Sequence, residues 1–293
     1  IETAEEKYIL PILGNDLYDA LQTAYDDNSM SDRQKSLLKK CRAVIAPMAY
    51  LNDLPLLQTN LSDNGIRVNE TENTRSAFKW EYNEAKEALS ASGYSAMEML
   101  IVFLKTYRAD FPEWATAPYN DPELVYLIRG GDDLRKAVAL QQPHRCYLIL
   151  QPLLPMLAEM YIKPAIGDAY FAVFNQQIID GTLSDDGKIL AGLLQPAMAR
   201  LAMMQAATEL SLRFSGNGFT IVDVLQDLPE DGRKDAGDSR LERFRQEMER
   251  TANTYIDKAI TFLIKNVDKP EFELYKNSEA YPADGQRLMS SDN

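Results

Sequence analysis

Apolar residues recur at spacings of three and four through most of the chain, the period of helices that bury one face. One stripe runs Leu37, Leu38, Cys41, Val44, Ile45 and Met48, and another Leu190, Leu194, Ala197, Met198, Leu201 and Met204. Each opens behind a serine, Ser31 or Ser184, whose hydroxyl can accept from the free amides of a first helical turn. Pro47 and Pro196 fall inside these stripes, so the pattern predicts a kink or an early break at both. Two shorter helices are expected ahead of each stripe. In the first set, Thr3 and Glu6 have capping-box spacing, Tyr8, Ile9, Ile12 and Leu13 share a face, and Gly14 supplies a left-handed stop. Asn15 or Asp16 then caps a helix that runs to Asp26, Asp27 and Asn28, and Gly167 and Asp168 occupy the same places in the second set.

Beyond the long stripes the period drops to two. Leu210, Leu212, Phe214, Phe219 and Ile221 alternate with polar residues around Ser215, Gly216, Asn217 and Gly218, which predicts a β-hairpin. Leu57 to Leu61, Asp63, Asn64, Gly65, Ile66 and Val68 form a weaker version. After the first hairpin the pattern predicts a helix from about Asn73 to Leu89, a break at Gly93, and a helix capped by Ser95 with Glu98. After the second it predicts a polar loop, Asp227 to Gly237, and one continuous helix capped by Ser239 and Glu242. Both halves then close alike, with Phe103, Leu104, Pro112, Glu113 and Trp114 mirrored by Phe262, Leu263, Pro270, Glu271 and Phe272. Tyr119 to Met156 lies between them and reads as a short helix at Pro122 to Leu127, a turn at Gly130 and Gly131, and a proline-punctuated helix around Tyr147 to Met160.

These parallels are a repeat. Glu6 to Gly65 aligns without a gap on Glu159 to Gly218, an offset of 153 residues, and sixteen positions are identical. Unrelated stretches of ordinary composition would share about four. The identities sit at backbone punctuation (Pro11 and Pro164, Gly14 and Gly167, Asn64-Gly65 and Asn217-Gly218) and on helix faces, so the duplication preserved a shape. The expected fold is mainly α: two tandem duplicated helical modules, each with one protruding β-hairpin. Residues 1–118 form copy one, 119–156 linker helices, 157–276 copy two, and 277–293 a mobile polar tail. Because copy two follows a linker while copy one has three residues before Ala4, the repeat also predicts an N-terminal segment of roughly 30 to 40 residues in the natural gene product. A removed signal peptide stays open.

Charge and composition narrow the chemistry. A net charge of −13 argues against phosphate-backbone binding as the main activity, since that binding is driven by Lys and Arg. Cys41 and Cys146 read as free core thiols without a zinc pattern, and no apolar run reaches the roughly 18 residues of a membrane span. His144 is the single histidine, placed at a helix start with no nucleophile motif beside it, and reads as a capping or surface imidazole. Gly130-Gly131-Asp132-Asp133 lacks the Lys-Ser/Thr of a phosphate loop and reads as a turn followed by an N-cap. Asp26-Asp27, Asp185-Asp186 and Glu230-Asp231 lack the alternating oxygens of a calcium loop. Met198, Met203 and Met204 read as core. Phe78, Trp80 and Tyr82 span two helix faces, which leaves Trp80 open to an interface role or to packing at a rim. No catalytic residue, metal site or cofactor is therefore expected. The candidate assembly contacts are Asn64, Gly65, Asn217, Gly218 and Trp80.

The string Glu6, Tyr8, Ile9, Pro11, Leu13, Gly14, repeated as Glu159, Tyr161, Ile162, Pro164, Ile166, Gly167, resembles an uncharacterised family of tailed-phage and prophage proteins from Bacteroides-type gut bacteria. The long helix and the Asn-Gly hairpin share that likeness, which covers most of the chain. More distantly, a small helical module with one hairpin resembles phage head-to-tail connector (adaptor) proteins, which assemble as rings under the portal. This resemblance implies a structural virion protein without catalysis, located in the virion and in the host cytoplasm during assembly. Its implied partners are portal or tail components and further copies of itself, with no sequence-specific nucleic acid and no membrane span. The family offers no catalytic residues to carry over. The long loop and fused helix of copy two depart from copy one and leave open whether both modules make the same contacts. A secreted or surface-associated bacterial binding module is the alternative.

Overall fold

Asp32–Leu57 and Asp185–Glu209 are helical along their whole length and run through Pro47 and Pro196, so of the kink or early break that the sequence predicts the break does not occur. An interior proline costs a helix about 3 kcal/mol, and the packing of each helix on a second long helix outweighs that cost. These observations come from a computed structural model that describes residues 1–57, 59–62, 65–68, 79–209, 211–215, 218–222 and 234–282, with side chains for 1–56, 81–209 and 241–282. The chain is mainly α and divides by its contacts into a unit of residues 1–121 and a unit of residues 122–293.

In the first unit, helices α1 (Glu2–Tyr8), α2 (Leu10–Asp26) and α3 (Asp32–Leu57) lead to strands β1 (Thr59–Ser62) and β2 (Gly65–Val68), and α4 (Lys79–Thr106) follows. α1 starts at Glu2 with no side-chain cap bond, so Thr3 lies in the first turn and the expected capping box does not form. α3 starts as its serine predicts. Ser31 Oγ accepts from the Gln34 amide at 3.2 Å, and the Gln34 side chain accepts from the Ser31 amide at 2.9 Å. α3 and α4 pack antiparallel, for Lys40 lies over the Phe103 ring and Met48 faces Gly93. Gly93 does not break α4. A Cβ there would stand 2.6 Å from Met48 Cε, so the residue is small to let two helices approach. β1 and β2 pair antiparallel with Ser62 opposite Gly65.

The second unit opens with a 3₁₀ turn at Pro122–Leu124 in place of the short helix expected there. α5 (Gly131–Ala137), α6 (Pro143–Leu150) and α7 (Leu154–Leu157) follow, then a π-turn at Ala158–Ile162 and α8 (Lys163–Ile166). The proline-punctuated helix that the sequence suggests is thus a succession of short helical pieces. α9 (Asp168–Asp180) and α10 (Asp185–Glu209) lead to β3 (Ser211–Ser215) and β4 (Gly218–Val222), which pair antiparallel with Ser215 opposite Gly218. α11 (Lys234–Lys265) begins five residues before Ser239, which is therefore inside the helix and not its cap. Glu242 instead accepts from Arg245 and Gln246, and these bonds hold its carboxyl down to about 2. α12 (Glu273–Lys276) ends the described helices.

The core of the second unit is aromatic where α9 meets the closing turn. Tyr170 lies 5.9 Å from Phe272 and 6.4 Å from Tyr275, ring centre to ring centre. Tyr275 is fully buried, burial pushes its phenol up to about 12, and its hydroxyl has no hydrogen-bond partner among the described residues. A buried unsatisfied hydroxyl costs about 1–3 kcal/mol. Tyr275→Phe should accordingly raise the thermal midpoint or leave it unchanged; a lower midpoint in a melting experiment would show that the hydroxyl is bonded.

Candidate assembly surfaces

The repeated motif does its work at a chain crossing. Pro11 sits in the first turn of α2, and Gly14 interrupts that helix with φ +73°. A Cβ on Gly14 would stand 2.8 Å from the Ala117 Cα, so the glycine admits the chain that returns after α4. Trp114 anchors the same return. It is buried, stacks on Tyr119 at 5.9 Å, and donates from Nε1 to the Ile12 carbonyl at 2.8 Å. Gly167 has φ +84°, and a Cβ there would stand 2.6 Å from the Ser278 side chain. Phe272, fully buried, takes the anchoring place. The sequence assigns residues from Asn277 onward to a mobile tail, but Ser278 and Ala280 pack on Gly167. Both glycines and the closing aromatics therefore serve shape. A cleft of about 390 Å³ remains beside this crossing, lined by Glu6, Pro11, Gly14, Asp16 and Thr116, with Thr116 donating to Asp16 at 2.7 Å.

The base of each long helix is tied to the segment after its partner helix. In the first unit, Arg33 lies 3.8 Å over the Tyr107 ring and 3.5 Å from Asp110. In the second, Ser184 caps the Gly187 amide at 2.9 Å and donates to Glu271 at 2.5 Å, while Asp186 pairs with Lys269. The hydrogen bond from Lys269 holds the Asp186 carboxyl below the usual range.

The five candidate contacts are described only in part. Gly65 and Gly218 are the first residues of β2 and β4, opposite Ser62 and Ser215. Asn64 and Asn217 lie outside the described residues, and Trp80 is the second residue of α4 with its side chain outside them. Sequence reasoning missed a different surface. The outer face of α3, with Ile45, Ala46, Ala49 and Tyr50, lines an open groove of about 540 Å³. Setting these positions beside their repeats in α10 is the signal that could have found it.

The sequence reads His144 as structural, and the structure corrects its setting. It is buried (2 % exposed), with Nε2 3.7 Å from Asp132 Oδ1, rather than a surface or capping imidazole. Beside it Asp133 is buried, accepting from the Arg129 amide at 3.1 Å and from Lys136 at 3.0 Å. Gly131 explains the glycine pair: a Cβ there would stand 2.4 Å from the His144 amide nitrogen, so α5 abuts the start of α6. Cys146 is buried two residues on, and the only other cysteine, Cys41, is buried with its thiol pushed up to about 12 by desolvation. A nucleophile needs an exposed, readily ionised group; both thiols are buried, and that of Cys41 is also hard to ionise. Among the described residues no group of three or more His, Cys, Asp or Glu is placed to hold a metal ion. None of the described helices is long and apolar enough to cross a membrane.

Fold and surfaces define a mainly helical protein. The chain belongs to DUF6712, a family of unknown function, whose profile matches residues 9–123 and 162–285. No curated protein matches the chain. No solved structure matches it either.

Proposed function

We propose that this chain is a structural virion protein, a head-to-tail connector subunit of a tailed phage made by tandem duplication of one helical module with a protruding β-hairpin. It acts through assembly contacts and not through catalysis. The carrying observation is the pair of two-stranded sheets, each set between two long antiparallel helices, with Ser62 opposite Gly65 and Ser215 opposite Gly218 at the same 153-residue offset. Among the described residues every strand has one strand partner, so each hairpin keeps an outer edge of backbone donors and acceptors that can add a strand from a neighbour. The duplication is supported by the two stretches matched by the family, which begin at residues 9 and 162, and by positive φ at Gly14 and Gly167. An acidic chain of net charge −13 suits a passage through which DNA slides without adhering.

In this reading Gly65, Gly218 and the flanking Asn64 and Asn217 dock on portal or tail components, Trp80 adds a further contact, and copies of the chain associate into a ring. Replacing residues 63–64 and 216–217 with Gly-Ser linkers should abolish incorporation into particles while the purified chain keeps its helical content. Normal incorporation would eliminate the hairpins as docking elements. Mass spectrometry of purified particles lacking the protein would overturn the virion assignment.

A further inference from the structure

Met198, Ala199, Ala202, Met203 and Ala206 of α10 are fully buried, and α5 and α7 pack on that helix. Gln195, on the same helix, donates from Nε2 to the Leu127 carbonyl at 2.8 Å. The residues 153 positions earlier on α3 are Ile45, Ala46, Ala49, Tyr50 and Asp53, and Arg42 stands where Gln195 does. None of these five is buried, and Tyr50 is 57 % exposed where Met203 is 0 %. The same helix face is thus covered in one unit and bare in the other.

We propose that this face of α3 is a docking surface for a helical segment with the chemistry of residues 122–153. That chemistry is short apolar helices punctuated by proline, with a turn carbonyl to accept from Arg42 as the Leu127 carbonyl accepts from Gln195. The inference rests on the duplication reading and deepens it. The groove is apolar along its middle with Arg42 and Asp53 toward its ends, and a hydrogen-bond donor is retained at position 42. Ile1, the counterpart of Leu154, itself lines the groove. A segment fused ahead of Ile1 would therefore leave the groove where the covering segment of the second unit runs into α7.

The test is the full chain with residues 122–153 fused ahead of Ile1, compared with the unfused chain by hydrogen exchange. Amides at 45–53 should exchange about tenfold more slowly, or slower still, in the fused chain. Ala49→Glu should remove that protection, because it puts a charge where Ala202 is buried in the second unit. Since Ala49 is half-exposed, the same substitution should leave the melting of the unfused chain unchanged and so serves as a folded control. Equal exchange in fused and unfused chains would overturn the docking. So would protection of 45–53 in the unfused chain that grows with concentration, which would assign the face to a second copy. Units that fail to superpose in an experimental structure would defeat the duplication reading itself, whereas equal exchange with superposing units defeats the docking alone.

Discussion

Trp114→Ala should destabilise the first unit by about 3–5 kcal/mol, the range for removing a fully buried tryptophan from a packed interior. The side chain is 1 % exposed, and its indole N–H bonds to the Ile12 carbonyl, joining positions 102 residues apart. Two losses combine: the cavity left by the ring, and a buried carbonyl deprived of its donor. Trp114→Phe separates them. It keeps most of the apolar contact but not the bond, as Phe272 does naturally in the second unit, where the edge of Phe262 meets it at 6.0 Å. The phenylalanine variant should therefore lose about 1–3 kcal/mol, less than alanine does. Hydrogen exchange resolved by segment, with urea added in steps, reads residues 1–121 apart from the rest. An alanine variant with wild-type protection there would refute the anchoring role.

Gly14→Ala should cost about 3 kcal/mol, the second largest effect expected. With φ +73° and ψ 164°, Gly14 occupies a backbone region essentially restricted to glycine, which costs an L side chain about 1–3 kcal/mol. The added Cβ also meets backbone, the Ala117 Cα at 2.8 Å, which cannot rotate away, and overpacking of this kind adds about 1–3 kcal/mol. Gly181 is the internal control, in the left-handed α region at φ +70° and ψ 25° with nothing within 4 Å of its built Cβ, so Gly181→Ala should show only a backbone cost of about 1–2 kcal/mol. Gly167→Ala should resemble Gly14→Ala, because Ser278 crowds it as Ala117 crowds Gly14. Segment-resolved exchange again separates the units. If Gly14→Ala and Gly181→Ala cost the same, the chain crossing is not what requires the first glycine.

Local physics was legible in the residues themselves. The caps at Ser31 and Ser184, the positive φ at Gly14 and Gly167, the helical stripes of α3 and α10 and the burial of both cysteines depend on neighbours within a turn or on a simple apolar period. The correspondence of the two halves also came from identities at such positions. Contacts between residues far apart decided the rest. Pro47, Pro196 and Gly93 look like breakers by propensity, yet each sits in an unbroken helix because a partner helix holds it there, and Gly93 is small for the sake of Met48, 45 residues away. His144 looks like a surface residue at a helix start, and becomes buried because α5 closes over it through Gly131. Tyr50 and Met203 stand 153 residues apart in the aligned stretches of sequence, yet one is exposed and the other buried. Burial belongs to whatever lies opposite a face and not to the face alone.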